Sequence, residues 1–177
     1  MVGSAPPTQI RLVLREPVDR ESVEHFRLLV VASDAGDPVR SGTLVVNVTV
    51  TDANDNAPTF VRPGSENAAA TSGPVETRLA ESASVGSAVC RVRAVDADDG
   101  DYGRVRYELS AETRRDYGRW FDVDADTGQI FTRDRLDHET QATYVLYVVA
   151  ADSDPADRKS SQCAVRRTES HGRPEVL

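Results

Sequence analysis

The sequence predicts an all-β chain built from antiparallel β-sandwich modules in tandem. Three observations predict it. Apolar residues recur with period two in four separate stretches, the pattern of strands with one face on a core. Turn-forming clusters fall between those stretches. One strand-centred pattern also occurs twice, 118 positions apart and without a gap, which marks tandem copies of one module.

Taken in order, the first strand is carried by Phe26, Leu28, Val30 and Ala32. Gly36-Asp37-Pro38 turns the chain into a second, where Leu44, Val46, Val48 and Val50 alternate with polar Asn47 and Thr49. Thr51 to Phe60 is polar, and Pro58 stops further pairing. The stretch from Val61 to Val75, with Ala68-Ala69-Ala70, reads as a flexible insertion before the next module. Asp99-Gly100 is a turn, and Val105, Tyr107 and Leu109 alternate with Arg104, Arg106 and Glu108. Asp126-Thr127-Gly128 turns a hairpin. Tyr144, Leu146, Val148 and Ala150 form the fourth clear strand, closed by Asp154-Pro155. β-Branched and aromatic residues concentrate in these runs, and no long amphipathic helix is evident.

The repeat carries acids as well as strands. A shift of 118 places Asp19 on Asp137, Glu21 on Glu139, Phe26 on Tyr144, Leu28 on Leu146, Val30 on Val148, Ala32 on Ala150 and Asp34 on Asp152. The chain therefore starts inside the first copy.

Composition excludes several classes. The chain has 177 residues and a net charge of -8, a poor balance for tracking nucleic-acid phosphates. Cys90 and Cys163 are too few for a disulfide scaffold and lack zinc-site spacing. No apolar run reaches membrane-span length, and no basic start with an apolar stretch marks an export signal.

The acids cluster at strand ends: Asp19 and Glu21; Asn54, Asp55 and Asn56; Glu81; Asp96 and Asp98; Asp152. Residues i and i+2 of a strand share a face, so Asp19/Glu21 and Asp96/Asp98 each present two carboxylates to one point. Ca²⁺ suits such a set, because it takes six to eight oxygens in flexible geometry, whereas Mg²⁺ demands a tight octahedron.

These residues resemble the cadherin family. Asp52-Ala53-Asn54-Asp55-Asn56-Ala57-Pro58 resembles its inter-repeat DxNDNxP linker. Val18-Asp19-Arg20-Glu21 and Leu136-Asp137-His138-Glu139 resemble its LDRE motif. Asp96-Ala97-Asp98-Asp99-Gly100 resembles its DxD segment, and Ala32-Ser33-Asp34 and Ala150-Ala151-Asp152 resemble its A-x-D motif. The style is that of protocadherins or the Fat and Dachsous group, and the likeness runs from about residue 10 to about 160.

The resemblance implies Greek-key, immunoglobulin-like repeats and about three Ca²⁺ ions at their junction. By motif, Asp19, Glu21, Asp55 and Glu81 would hold the first ion. Glu21, Asp55, Glu81, Asp98 and the Ala53 carbonyl would hold the second. Asn54, Asp96, Asp98 and Asp152, with the Asn56 and Tyr102 carbonyls, would hold the third. Seven carboxylates nearly balance three divalent cations, so the junction should loosen without metal and lock with it.

Three departures stand out. Tyr102 replaces an Asn, and Val18 replaces the Leu of the first LDRE motif. Adding 118 to Asn54, Asp55 and Asn56 gives Gly172, Arg173 and Pro174, so no second linker follows, and from about Cys163 the sequence stops resembling a cadherin strand. The expected domains are 1–60, the C-terminal half of one repeat; 61–163, a nearly complete second repeat; and 164–177, a divergent tail.

Other motifs have plainer readings. Asp122 to Gly128 fails as an EF-hand loop, because its Gly is one position late and Arg133 stands at the twelfth position, which leaves a hairpin turn. Asn47-Val48-Thr49 is an N-glycosylation sequon on the outward side of its strand. His25 and His138 read as exposed strand-start residues, Trp120 as core or partly covered surface, Cys90 as a buried small hydrophobe and Cys163 as exposed.

The resemblance implies calcium-dependent cell–cell adhesion at the extracellular face of the plasma membrane, with cadherin-family ectodomains as partners in cis or trans, homophilic or heterophilic. It implies no nucleic acid, no small-molecule substrate and no catalysis. A non-adhesive calcium-binding spacer of a signalling cadherin is the alternative. A calcium-dependent hydrolase using paired acids is the third reading, with no substrate cleft to support it.

Overall fold

The structure is a computed structural model that describes residues 10–61, 74–80, 82–137, 141 and 143–170, with 169 and 170 described by backbone alone. The chain divides into two compact units, Met1–Asp52 and Ala53–Leu177.

The first unit is an antiparallel pair, β1 (His25–Ser33) and β2 (Ser41–Thr49). Phe26 faces Val48, Leu28 faces Val46 and Val30 faces Leu44, so the predicted alternating residues share one face. That face is incompletely covered: Leu44 is 62% exposed and Leu28 38%. His25 opens β1 and is exposed, as its position suggested.

The second unit contains β3 (Thr59–Val61), β4 (Val75–Ala80), β5 (Ala88–Arg91), β6 (Arg93–Val95) and β7 (Arg106–Leu109), then α1 (Ala111–Tyr117). It continues with β8 (Phe121–Val123), β9 (Gln129–Thr132), β10 (Thr143–Ala151) and β11 (Ser160–Ser170). One sheet has the order β4-β11-β10-β7; β3-β6 and β5-β9-β8 supply the facing layer. All pairs are antiparallel except β4 with β11. Leu109, Tyr144, Leu146, Val148 and Val165 from the first sheet meet Phe60, Val92, Ala94, Phe121 and Ile130 from the second in one core. The longest paired strand shows the alternation a sandwich requires, with Tyr144, Leu146, Val148 and Ala150 of β10 all buried.

Local chemistry fixes the connections. The Asp122–Gly128 segment is a hairpin turn between β8 and β9: Asp124 accepts hydrogen bonds from Thr127 N at 2.8 Å and Thr127 Oγ1 at 2.7 Å. Gly128 has φ +69°, and a Cβ there would lie 2.3 Å from the Val92 carbonyl oxygen, so only glycine fits. The Tyr107 hydroxyl accepts from Ala94 N at 2.8 Å and ties β7 to β6.

Three differences from the sequence reading have physical causes. The short helix α1 was not anticipated. Ser110 starts it by accepting from Thr113 N at 3.1 Å, and the buried Thr113 docks it by accepting from Tyr147 N at 2.9 Å. The strand pattern does not end near Cys163, because β11 pairs with β10 as far as Thr168 and with β4 as far as Ser170. Main-chain pairing is indifferent to the unusual side chains, and Arg167 is absorbed into the interior. Its guanidinium lies 5.5 Å from the Tyr144 ring centroid and donates to the Leu79 carbonyl at 3.0 Å. Cys163 is half-buried rather than exposed, because it lies on the inward row of β11 with Val165. Trp120 is partly covered and packs against the core. Most of the expected insertion, 62–73, lies outside the described residues, and its ends at Val61 and Val75 are strands.

Candidate metal centre

Three strand ends deliver the acids of the second unit to one place. Buried Pro58 seats the end of the linker, and β3 then pairs antiparallel with β6, Thr59 opposite Val95. Residues before Thr59 therefore lie beside residues after Val95, which sets Asn56 against Asp98. Asn56 N donates to Asp98 Oδ2 at 3.2 Å, and Asn56 Nδ2 donates to Asp98 Oδ1 at 2.7 Å and to Asp55 Oδ1 at 2.9 Å. Asn56 thus positions two carboxylates through its side chain, a role beyond the carbonyl expected of it.

The third strand end is that of β10. Ala151 pairs with Arg106, so the next residue, Asp152, sits beside the loop that follows Asp98. Ser153 fastens that loop: its N donates to the Asp101 carbonyl at 3.1 Å and its Oγ to the Arg104 carbonyl at 2.9 Å. Tyr102 lies within this clamped segment. Gly103 is required there, since a Cβ would fall 2.0 Å from the Asp98 carbonyl oxygen.

Asn54 joins linker and strand end. Its Nδ2 donates to Asp152 Oδ2 at 2.9 Å, to the Asp157 carbonyl at 2.7 Å and to Asp154 Oδ2 at 3.4 Å. All its donor capacity faces this side, and its Oδ1 is buried with no hydrogen-bond partner among the described residues. Asp96 is in the same condition. Its Oδ1 accepts from Asp98 N at 3.1 Å, while its Oδ2 is buried and unpartnered. Burial pushes the Asp96 carboxyl above its ordinary range, and the charges of Asp98 and Asp152 push it the same way, against hydrogen bonds from the Asp98 and Ala97 backbone.

Buried oxygens without donors are costly and uncommon. Here an amide oxygen and a carboxylate oxygen are left bare beside two further buried acids, Asp98 and Asp152. The donors are all hard oxygens, with no thiolate or imidazole among the residues just named. That set fits Ca²⁺ and does not fit zinc.

The first unit places Asp19 and Glu21 in a turn ahead of β1. Asp19 accepts from Ser22 Oγ at 2.6 Å and from Glu21 N at 3.0 Å, and hydrogen bonds from Ser22 and then Glu21 hold its carboxyl below the ordinary range. Arg20 bridges Glu21 at 2.6 Å and also pairs with Asp52. Ala53 O accepts from Asp55 N at 2.8 Å in a tight linker turn. Glu81, His138 and Glu139 lie outside the described residues.

The internal repeat extends to hydrogen bonding. Asp34 accepts from Gly36 N at 3.1 Å and from Arg40 N at 2.8 Å. Asp152 accepts from Asp154 N at 3.1 Å and from Lys159 N at 2.9 Å, closing a loop one residue longer. Asp52, Asp154 and the Asp157 carbonyl were not anticipated as neighbours of the expected ligands. Asp152-x-Asp154 repeats the i, i+2 spacing of Asp96-x-Asp98, and that signal was hidden because Asp154-Pro155 reads first as a turn.

The cadherin-domain family model matches residues 75–166. Protocadherin Fat 4 of Homo sapiens is 41% identical over 143 residues, which are 81% of this chain and 3% of that protein. Protocadherin gamma-A5 of Homo sapiens is 34% identical over 166 residues, 94% of this chain and 17% of that protein. The solved structure of mouse clustered PcdhgC3 EC1-3 superposes with a TM-score of 0.77 at 31% identity, covering 89% of this chain and 47% of that one. The chain belongs to the cadherin family and spans a small part of the length of these curated relatives. Cadherin-family proteins are adhesion proteins without enzymatic activity, and their homologues are extracellular or plasma-membrane proteins. No helix among the described residues is long and apolar enough to cross a membrane.

Proposed function

We propose that this chain is a calcium-locked segment of a cadherin ectodomain that supports calcium-dependent cell–cell adhesion. Residues 1–60 supply the closing strands and linker of one repeat, and the second repeat begins at 61 and runs through β11. The observation that carries the reading is the pair of buried, unpartnered oxygens, Asn54 Oδ1 and Asp96 Oδ2, beside Asp98 and Asp152.

Asn54, Asp96, Asp98 and Asp152, with the Asn56 and Tyr102 carbonyls, would hold one Ca²⁺ ion. Asp19, Glu21, the Ala53 carbonyl, Asp55, Glu81 and Asp98 would hold two more, by the motif likeness. Calcium supplies positive charge that neutralises crowded carboxylates. The chain's own residues orient them: Asn56 holds Asp98 and Asp55, Asn54 and the Lys159 backbone hold Asp152, and Ser153 clamps the loop. With the acids neutralised the linker stiffens, and a stiff linker presents adhesive faces in a fixed array. Partners are cadherin-family ectodomains at the cell surface.

Limited proteolysis across Thr51–Asn56, with calcium and with chelator, tests the lock. Calcium should slow cleavage by at least ~10-fold, since excluding open forms scales with the binding free energy. Equal cleavage rates in the two buffers would refute it. Beads coated with the chain test adhesion separately. Calcium-dependent aggregation supports self-recognition, and its absence while the linker is protected would replace adhesion by the spacer role.

A further inference from the structure

We propose that Asn47 is an N-glycosylation site and that its glycan covers the outward face of β1 and β2, just ahead of the linker. Asn47-Val48-Thr49 is the only sequon in the sequence: Asn54, Asn56 and Asn67 have Asn, Pro and Ala two positions on, where a hydroxyl is needed. In β2, Asn47 and Thr49 point to the same side, and both are exposed. Asn47 pairs with Arg27, Val45 with Leu29 and Thr43 with Val31, so these residues share one row across the two strands.

Exposure in the first unit does not by itself make that row outward, because the opposite face is also incompletely covered. The second copy of the internal repeat decides which side is which. Arg27 and Val145 hold matching places in the repeat, and Val145 pairs with Arg166 as Arg27 pairs with Asn47. Arg166 therefore stands where Asn47 stands, and Arg167 where Val48 stands. Arg167 is fully buried. The Arg166 side chain stays half-exposed, although β4 pairs alongside it and Glu76 bridges it at 3.4 Å. A sheet widened by a further strand thus leaves this position open to solvent, with room for a branched sugar. The same row carries exposed apolar side chains at Leu29, Val31 and Val45. Leu29 is a diagonal neighbour of Asn47, about 7–8 Å away, so the first sugars of a glycan lie over it.

The reaction balances with a lipid-linked oligosaccharide pyrophosphate as donor. The Asn47 amide nitrogen bonds to the anomeric carbon of the donor's reducing-end sugar, and the bond from that carbon to the pyrophosphate oxygen breaks. The lipid pyrophosphate leaves with that electron pair and the amide gives up one proton, so nothing is oxidised or reduced. Thr49 supplies the hydroxyl that marks the acceptor. The ladder to β1 engages the backbone around Asn47, so transfer precedes strand pairing. A bulky, solubilising glycan there takes an apolar row out of contact and leaves adhesion to other faces. The inference rests on the ectodomain reading for passage through the export pathway, which extracellular relatives share, and does not depend on calcium.

The test expresses the full chain behind a cleavable export signal. The chain is recovered from protease-protected microsomes as well as from the medium, so the site is read wherever the chain stops. Its peptides are treated in heavy-oxygen water with the amidase that releases N-glycans, which leaves a heavy-oxygen aspartate wherever a glycan was attached. The expected result is that label at position 47 alone, with a gel shift that the amidase removes. Asn47→Gln and Thr49→Val should abolish the shift, and Thr49→Ser should keep it, because serine preserves the sequon. A lumenal wild-type chain with bare Asn47, or a shift that survives Asn47→Gln, would overturn the proposal. A second readout checks the cover: a bulky maleimide should label Leu29→Cys several-fold more slowly in the glycosylated chain than after native amidase treatment. Equal rates would overturn the shielding. A glycan on Asn47 supports the site whether or not calcium protects the linker, since that protection tests the calcium lock alone.

Discussion

Leu28 and Leu146 occupy the same position in the two copies of the internal repeat, and truncating each to alanine should have very different consequences. Leu146 is completely buried at the centre of the four-stranded sheet, while Leu28 is 38% exposed on a face that its own unit leaves open. Leu→Ala removes about three methylene-sized groups, worth ~2.4 kcal/mol in transfer alone. At Leu146 the surrounding strands cannot collapse into the gap, and the cavity brings the cost to ~3–4 kcal/mol. At Leu28 no enclosed cavity forms, and the cost is about 1 kcal/mol, confined to the first unit. The chain's single tryptophan, Trp120, reports on the second unit, since its ring centroid lies 6.3 Å from that of Tyr144. Thermal unfolding followed by its fluorescence, in chelator, separates the two variants. At ~3 °C per kcal/mol for a unit of this size, Leu146→Ala should lower the midpoint by about 10 °C. Leu28→Ala should leave it within about 1 °C of wild type. Equal shifts would refute the argument that the repeated positions differ in burial and that the units unfold separately without metal.

Four further outcomes are expected. Asp96→Asn should change sign with calcium. The raised carboxyl of Asp96 contributes stability at low pH that is lost as pH rises through its folded value, so in chelator at neutral pH the neutral amide should raise the midpoint. In calcium the same variant should lower it, and one sign in both buffers would contradict the site. Asp124 is held below its ordinary 3.8 by Thr127, first through the side chain and then the backbone, so its contribution exists above that value and fades as pH falls through the lowered one. The stability gap between wild type and Asp124→Asn should therefore hold constant from neutral pH down to about 4 and narrow only below it in urea titrations. Tyr107→Phe strands the buried Ala94 N–H and should cost ~1–3 kcal/mol by urea unfolding. Gly103→Ala should lower the chelated midpoint as well as weaken calcium binding measured by dye competition, because its Cβ strikes the Asp98 backbone carbonyl whether or not metal is bound.

The parts legible in the sequence are those written in period two and in motif spacing. Phe26 to Ala32 and Tyr144 to Ala150 mark β1 and β10, because a face buried on one side leaves an alternating trace. Asn54, Asp96, Asp98 and Asp152 were legible as a set through the likeness of their motifs to those of cadherins, and the structure brings them to one end of the second unit. The seven-residue α1 was not legible, since it is too short for a helical stripe and is held by the Ser110 cap and the docked Thr113. The continuation of β11 was hidden because an inward Arg167 reads as the end of a strand until a ring and a carbonyl are seen to receive it. The part played by Asn56 was also hidden: motif spacing marks it as a residue near metal, but only the Thr59–Val95 register shows its amide holding Asp98.

The central claim is that the acids around the linker hold calcium. Calorimetric titration of calcium into the chelator-stripped chain, and into Asp55→Ala and Asp96→Ala, tests it most directly. Multi-site binding by the wild-type chain that both variants largely lose is the predicted result. No binding by the wild-type chain, or heats that either substitution leaves unchanged, would contradict the claim.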